Sequence, residues 1–322
     1  MIKLSIAIPT FERKDLLLVL LLSLKKQLRH DVEVIVSDNG SSDGTLNMLK
    51  ELEMPQLKVI GFEKNRGIDF NIVNVIQHAS GEYIFLFSDD DVLVEGVLDQ
   101  ILSLLDFSYN VVVLNHYGFT QDPHKPLTPC FLPQINRVFS CGEKFFRYVG
   151  LGFLSSLIFK KQLALPFISK VRFGKECAHV DIVARIVLEP AARCFLAGEL
   201  VVAARALALP RYSMINSCVI FLNELYEQLY KEKKLSLFSF TYFQNRLVFK
   251  EIPRIYYKLL LQKTCLAKIA LEEAYQVFKE KCVYRLFLRV LLQFPQQALV
   301  FFKILHAVIL KIRKYKLNKQ RF

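Results

Sequence analysis

GEYIFLFSDDD, residues 81–91, is an apolar run that leaves a glycine and ends on three consecutive aspartates. A short continuous apolar run bounded by turn formers reads as a strand buried on both faces. Three adjacent carboxylates repel one another, so a buried strand that ends on them implies a positive partner beyond its carboxyl end. Clustered aspartate oxygens are hard ligands suited to Mg2+ or Mn2+, and Mg2+ sites commonly combine one or two carboxylates with substrate phosphates. The plainer alternative is a solvated acidic turn.

Outward from this stretch, strand and helix patterns alternate. KLSIAI (3–8) predicts a strand closed by Pro9, followed by a helix over about 13–28. VEVIVS (32–37) is a second apolar strand that empties into DNGSSDGT (38–45), rich in turn formers. LKVIGF (57–62) is a third strand, residues 68–79 have helical spacing, EYIFLFS (82–88) is the fourth strand, 95–105 a helix, and NVVVLN (110–115) a fifth strand. This alternation predicts an α/β fold, a Rossmann-like and mostly parallel sheet with helices on both faces. Ligands of such sheets bind beyond the carboxyl ends of the strands. Pro9, Thr10 and Glu12 follow the first strand, Asp38 the second, and Asp89, Asp90 and Asp91 the fourth, which points to one shared site. Neither a G-x-G-x-x-G nor a P-loop motif is present.

From about residue 111 the pattern loosens into a proline-rich loop (121–129), a strand-into-turn FLSSLIFKK (153–161) and an amphipathic helix AHVDIVARIVLE (178–189). Beyond Pro210 nearly everything reads as helix, with breaks near Pro253 and Pro295. The expected organisation is a domain over 1–210, with halves 1–110 and 111–210, and a helical C-terminal extension over 211–322.

The chain has 322 residues, 53% of them hydrophobic, yet no uninterrupted apolar segment of the roughly 20 residues a bilayer span needs. LLLVLLLSL (16–24) runs straight into Lys25 and Lys26 without a small-residue cleavage pattern, so it reads as an apolar helix and not a signal peptide. Seven cysteines at irregular spacing, with no C-x-x-C pair, predict reduced thiols in the cytoplasm. The net charge of +13 is uneven. Residues 1–110 carry 10 basic and 17 acidic side chains, 111–210 carry 12 and 6, and 211–322 carry 21 and 7. The acidic part favours cations, the basic end an anionic surface.

IPTFERKDLL (8–17), VEVIVSDNGSSDGT (32–45), KNRGIDFN (64–71) and ASGEYIFLFSDDD (79–91), in this order and spacing, resemble the nucleotide-sugar half of family-two, GT-A-type inverting glycosyltransferases of bacterial surface-polysaccharide assembly. FLSSLIFKK followed by AHVDIVARI is similar to the branch containing abequosyltransferases. The resemblance implies that Pro9, Thr10 and Glu12 border the base and ribose, that Asp38 accepts a hydrogen bond from the base, and that Arg66 approaches the base or diphosphate. It further implies that Asp89 contacts the ribose and that Asp90 holds Mn2+ or Mg2+ as the second aspartate of a D-x-D motif. Ser88 stands where many relatives carry aspartate, so Asp91 is a second candidate ligand. The family's general base is a carboxylate at the start of an acceptor-side helix, which maps onto His179 or Asp181. In the alternative, Asp181 simply pairs with Arg185 four residues on. A base contact at Asp38 suits uracil, thymine or guanine, so a UDP-sugar is favoured, although the abequosyltransferase branch uses a CDP-sugar.

The last twelve residues contain six Lys or Arg and no acid, and VYRLFLRVLLQF (283–294) and ALVFFKILHAVIL (298–310) mix large apolar residues with isolated cations. Such helices suit the interface of an anionic membrane. The resemblance thus implies a cytoplasmic enzyme on the inner face of the cytoplasmic membrane, with a polyprenyl-diphosphate-linked saccharide acceptor. The rival is a non-catalytic nucleotide-sugar-binding or scaffold subunit. No helix-turn-helix, RNP-like or zinc motif supports nucleic-acid binding.

Overall fold

In the computed structural model, residues 1–206, 214–261, 266–294 and 297 are described. They fall in two units, Met1–Arg211 and Tyr212–Phe322. The first opens with β1 (Leu4–Thr10), seven consecutive buried residues. Then come α1 (Lys14–Lys25), β2 (Val32–Asp38), α2 (Thr45–Glu51), β3 (Leu57–Gly61), α3 (Ile68–His78), β4 (Tyr83–Leu86), β5 (Val92–Leu93) and α4 (Val97–Leu105). The unit continues through β6 (Val111–Phe119), β7 (Asn136–Phe139), α5 (Gly142–Val149), β8 (Leu157–Lys160), α6 (Lys161–Ile168), α7 (Ala178–Val187) and β9 (Cys194–Arg205).

One sheet takes all nine strands in the order β3-β2-β1-β4-β8-β6-β9-β5, with β7 paired to β9. β3, β2, β1 and β4 are parallel, as the alternation predicts. The fifth predicted strand, β6, does not join them directly: β8 inserts between β4 and β6 and is antiparallel to both. β1 does not close at Pro9 either. β4 pairs with it only as far as Ala7↔Leu86, so on that side the missing N–H of Pro9 has no ladder partner to lose.

The leucine run of α1 is a core helix. Leu17, Leu20, Leu21 and Leu24 repeat at helical spacing, are fully buried, and pack with Leu4, Ile6, Ile8, Val34, Val36 and Phe85. Each such burial contributes roughly 1.5–3 kcal/mol. Gly81 is forced by the approach to β4: a Cβ there would lie 2.6 Å from Ser5 N. α7, expected to be amphipathic, has all ten of its residues buried, because α3, α5, α6 and β6 all pack on it.

Among its described residues the second unit holds α8 (Phe221–Lys231), α9 (Leu237–Arg246), α10 (Ile252–Leu261), α11 (Leu266–Phe278) and α12 (Cys282–Gln293). The break expected near Pro253 takes the form of a π-helical turn, Leu247–Glu251, just before it. α12 buries Tyr284, Leu288 and Leu291. It exposes Val283 (66%), Leu286 (65%) and Val290 (47%) at helical spacing, with Arg285 and Arg289 also exposed. No helix among the described residues is long and apolar enough to cross a membrane. The break near Pro295, the 298–310 segment and the basic tail Lys311–Phe322 lie outside the described residues. The six described cysteines are all free thiols.

Candidate active site

The parallel register sets Thr10 beside Asp38 at the carboxyl ends of β1 and β2. The turn after β4 brings the three aspartates to the same edge. Thr10 Oγ1 donates to Asp89 Oδ2 at 2.8 Å, so the clusters after the first and fourth predicted strands are joined directly. Arg13, the residue before α1, places one nitrogen, Nη1, 2.8 Å from Asp89 Oδ1 and 2.8 Å from Asp90 Oδ2. Ser88 Oγ donates to Asp90 Oδ1 at 2.6 Å.

Asp91, the second candidate ligand, has different partners. Ser155 Oγ donates to its Oδ2 at 2.6 Å and Arg205 N–H to its Oδ1 at 2.8 Å. Both of its oxygens thus face protein donors, and Asp91 pins β9 and the 3-10 turn Leu154–Ser156 to the acidic turn. Arg205 completes the clamp, with Nε on the Asp90 carbonyl at 3.1 Å and Nη1 on the Thr120 carbonyl at 2.7 Å.

Burial, opposed by Arg13 and reinforced by Asp90, pushes the Asp89 carboxyl up to about 6. Burial and the charge of Asp90 push Asp91 up to about 7. The Arg13 guanidinium is itself held above its ordinary value: burial works against it, and the charges of Asp89 and Asp90 outweigh that. Asp89 and Asp90 share one arginine at salt-bridge distance, so the pair, when both are ionised, carries one negative charge more than Arg13 neutralises.

No three His, Cys, Asp or Glu side chains converge on one point among the described residues. Asp89 and Asp90 do converge on a single cationic nitrogen. Two carboxylates completed by phosphate oxygens are a sufficient Mg2+-type donor set, so the residues fit the ion through Asp89 and Asp90.

The other predicted residues are placed as follows. Glu12 has φ +53° and accepts Ser42 N–H at 2.6 Å, which ties the β1–α1 turn to the turn after β2. Asp38 is fully buried and accepts from Ser41 N–H at 3.2 Å and Ser41 Oγ at 2.5 Å, so its carboxylate shapes the 38–41 turn. Arg66 is exposed, and its guanidinium lies over Phe62 and Phe70 at 4.9 and 4.6 Å. A concavity of about 400 Å3 beside the start of α1 is lined by Glu12, Arg13, Lys14, Asp15, Leu16 and Asp43.

On the acceptor side, His179 and Asp181 share the first turn of α7 but differ in state. Asp181 is 1% exposed and its Oδ1 accepts from Arg185 Nε at 2.7 Å, the pairing given above as the alternative. His179 Nε2 lies 3.4 Å from the Gly152 carbonyl, and its Nδ1 has no hydrogen-bond partner. Burial pushes the imidazole down to about 4, so it is neutral at pH 7. The start of α7 is fixed by a residue the sequence did not single out. Asp69 on α3 accepts from the N–H groups of Lys175, Glu176 and Ala178 at 2.8–2.9 Å. Arg13, Ser155 and Arg205 were missed as well. Only Arg13 left a signal, a cation directly after the carboxyl end of a predicted buried strand.

Residues 5–151 match the family model described as Glycosyl transferase family 2. Among curated relatives, the GalNAc(5)-diNAcBac-PP-undecaprenol beta-1,3-glucosyltransferase of Campylobacter jejuni is 34% identical over 110 residues, 33% of this chain and 36% of that protein. Abequosyltransferase RfbV of Salmonella typhimurium is 34% identical over 107 residues, 32% of each. The chain thus spans about a third of the length of these relatives. Among solved structures, S. aureus TarS 1-349 in complex with UDP-GlcNAc superposes with a TM-score of 0.65 at 17% identity, covering 93% of this chain and 88% of that one. Residues 5–151, slightly less than half of the chain, are thus similar to glycosyl transferase family 2, on a sheet of GT-A type.

Proposed function

We propose that this chain is an inverting glycosyltransferase, dependent on Mn2+ or Mg2+, that moves a sugar from a nucleotide-diphosphate donor, a UDP-sugar by preference, to a saccharide carried on a polyprenyl diphosphate. The observation that carries this reading is the convergence of Asp89 and Asp90 on one cationic point beside the ends of β1 and β2. A divalent cation bound there would neutralise the charge that builds on a departing diphosphate. Thr10 and Ser88 orient the two carboxylates, and Arg205 with Ser155 keeps the turn from relaxing away from them.

Of the two general-base candidates we favour His179. With Nε2–H toward the Gly152 carbonyl, Nδ1 carries the lone pair that would take the proton from the acceptor hydroxyl. Asp181 is already engaged by Arg185 at 2.7 Å. A lipid-linked acceptor agrees with the name of the Campylobacter jejuni relative, and a UDP donor with the TarS complex. The exposed stripe Val283, Leu286 and Val290, beside Arg285 and Arg289, supports contact with an anionic bilayer.

The test is nucleotide diphosphate release from a panel of donors, with Mn2+ and a polyprenyl-diphosphate saccharide. Turnover should appear with a UDP-sugar and fall about 100-fold in Asp90→Asn. Turnover undiminished by excess chelator counts against the metal reading. Donor binding without release in every pairing favours the scaffold reading.

A further inference from the structure

Arg13 occupies the point that an ion held by both Asp89 and Asp90 would need. Its Nη1 is 2.8 Å from an oxygen of each carboxylate, and the side chain is only 18% exposed. A divalent ion held by the same oxygens would sit at roughly 2.0–2.2 Å from them, which leaves no room for the nitrogen and sets like charges in contact. Guanidinium and ion therefore exclude one another. The remaining partners of the carboxylates do not conflict with an ion. Thr10 and Ser88 donate from hydroxyls to the other oxygen of each group, and a carboxylate oxygen can accept more than once.

The departing side chain also has a destination. The concavity of about 400 Å3 at the start of α1 is bordered by Arg13 itself and by the carboxylates Glu12, Asp15 and Asp43. A guanidinium that swings there exchanges one acidic setting for another.

We propose that Arg13 is an internal counter-ion of the acidic turn, which a divalent cation must displace to bind, so that Arg13 sets the cation affinity of the site. This rests on the metal-dependent reading above. In the absence of cation, Arg13 offsets the repulsion between Asp89 and Asp90. Once displaced, it is a free guanidinium one side chain away from the same turn.

The test is Mn2+ binding to the full chain, followed by electron paramagnetic resonance of the free ion at fixed ionic strength, with and without UDP. Arg13→Gln should bind Mn2+ at least tenfold more tightly than wild type, and Arg13→Lys, which keeps the charge, by less. Asp90→Asn should lose the ion in either background. Circular dichroism confirms that each variant is folded. Equal or weaker binding by Arg13→Gln overturns the counter-ion role while leaving the metal reading intact. No Mn2+ binding by any variant, even with UDP, overturns both. Retention of Mn2+ by Asp90→Asn places the ion elsewhere and likewise overturns both.

Discussion

Ser155 Oγ donates to Asp91 Oδ2 at 2.6 Å and receives the Ser88 N–H at 2.8 Å, so one hydroxyl holds both ends of the acidic turn. Its residue comes from the 3-10 turn before β8, the antiparallel strand that enters beside β4. The inserted strand thus delivers a strut to the turn.

Ser155→Ala should cost about 1–3 kcal/mol, because it leaves a buried carboxylate oxygen and a buried N–H without their partner. Urea denaturation measures the loss directly. Turnover should fall as well, since the turn that carries Asp89 and Asp90 is then less well held. A variant as stable as wild type would show that water replaces the hydroxyl.

Asp69→Ala removes the acceptor of three N–H groups ahead of α7. Loss of a capping carboxylate costs about 0.5–2 kcal/mol. Hydrogen exchange should quicken at Lys175, Glu176 and Ala178 before it changes elsewhere. Uniformly faster exchange across the unit would mean that Asp69 supports the whole fold and not this one helix end.

His179→Gln and Asp181→Asn should separate chemistry from stability. His179→Gln should retain the fold and lose about 10²–10⁴-fold in kcat. Asp181→Asn breaks a buried ion pair and should destabilise by about 3–5 kcal/mol, with a smaller effect on kcat at low temperature. The opposite pattern would assign the base to Asp181.

Two buried imidazoles oppose folding as pH falls. Burial pushes both His116 and His179 down to about 4, below the ordinary ~6.5 of the unfolded chain. The unfolded chain therefore takes up protons first as pH falls. Their contribution to stability should drop between about pH 6.5 and pH 4 and level off below that, against an opposite contribution from Asp89 and Asp91, whose raised carboxyls take up protons first in the folded chain. His116 stacks against Phe131 and Phe153 at centroid distances of 4.9 and 4.1 Å, so His116→Phe keeps an aromatic ring there without the titration. Relative to wild type, its Tm should shift upward as pH falls from about 6.5 to 4.5. Parallel Tm curves for the two would remove His116 from the account.

The parallel half of the sheet was legible because each of its strands is a local apolar run and each crossover a local helical pattern. The acidic turn was legible for the same reason, since its aspartates are neighbours in the chain. What surrounds the turn was not. Arg205 and Ser155 reach it from more than 60 residues away, and Asp69 meets Ala178 across 109; nothing local in either partner announces the other. β8 was readable as a strand but not as the antiparallel insert between β4 and β6, because order in a sheet is decided by packing. The amphipathic reading of α7 failed on the same ground: His179, Asp181 and Arg185 look like a solvent face until Asp69, Gly152 and the internal ion pair accommodate them.

Complete enclosure of α7 has an evolutionary corollary. A helix packed on every side admits few substitutions, whereas the connection between β6 and β7 leaves Leu127 and Phe131 standing in solvent. Lineages that diverge in the molecule they modify should therefore vary in that connection and leave the helix nearly frozen, so a chimaera exchanging residues 120–135 between two relatives should transfer preference for the recipient sugar and leave the donor unchanged.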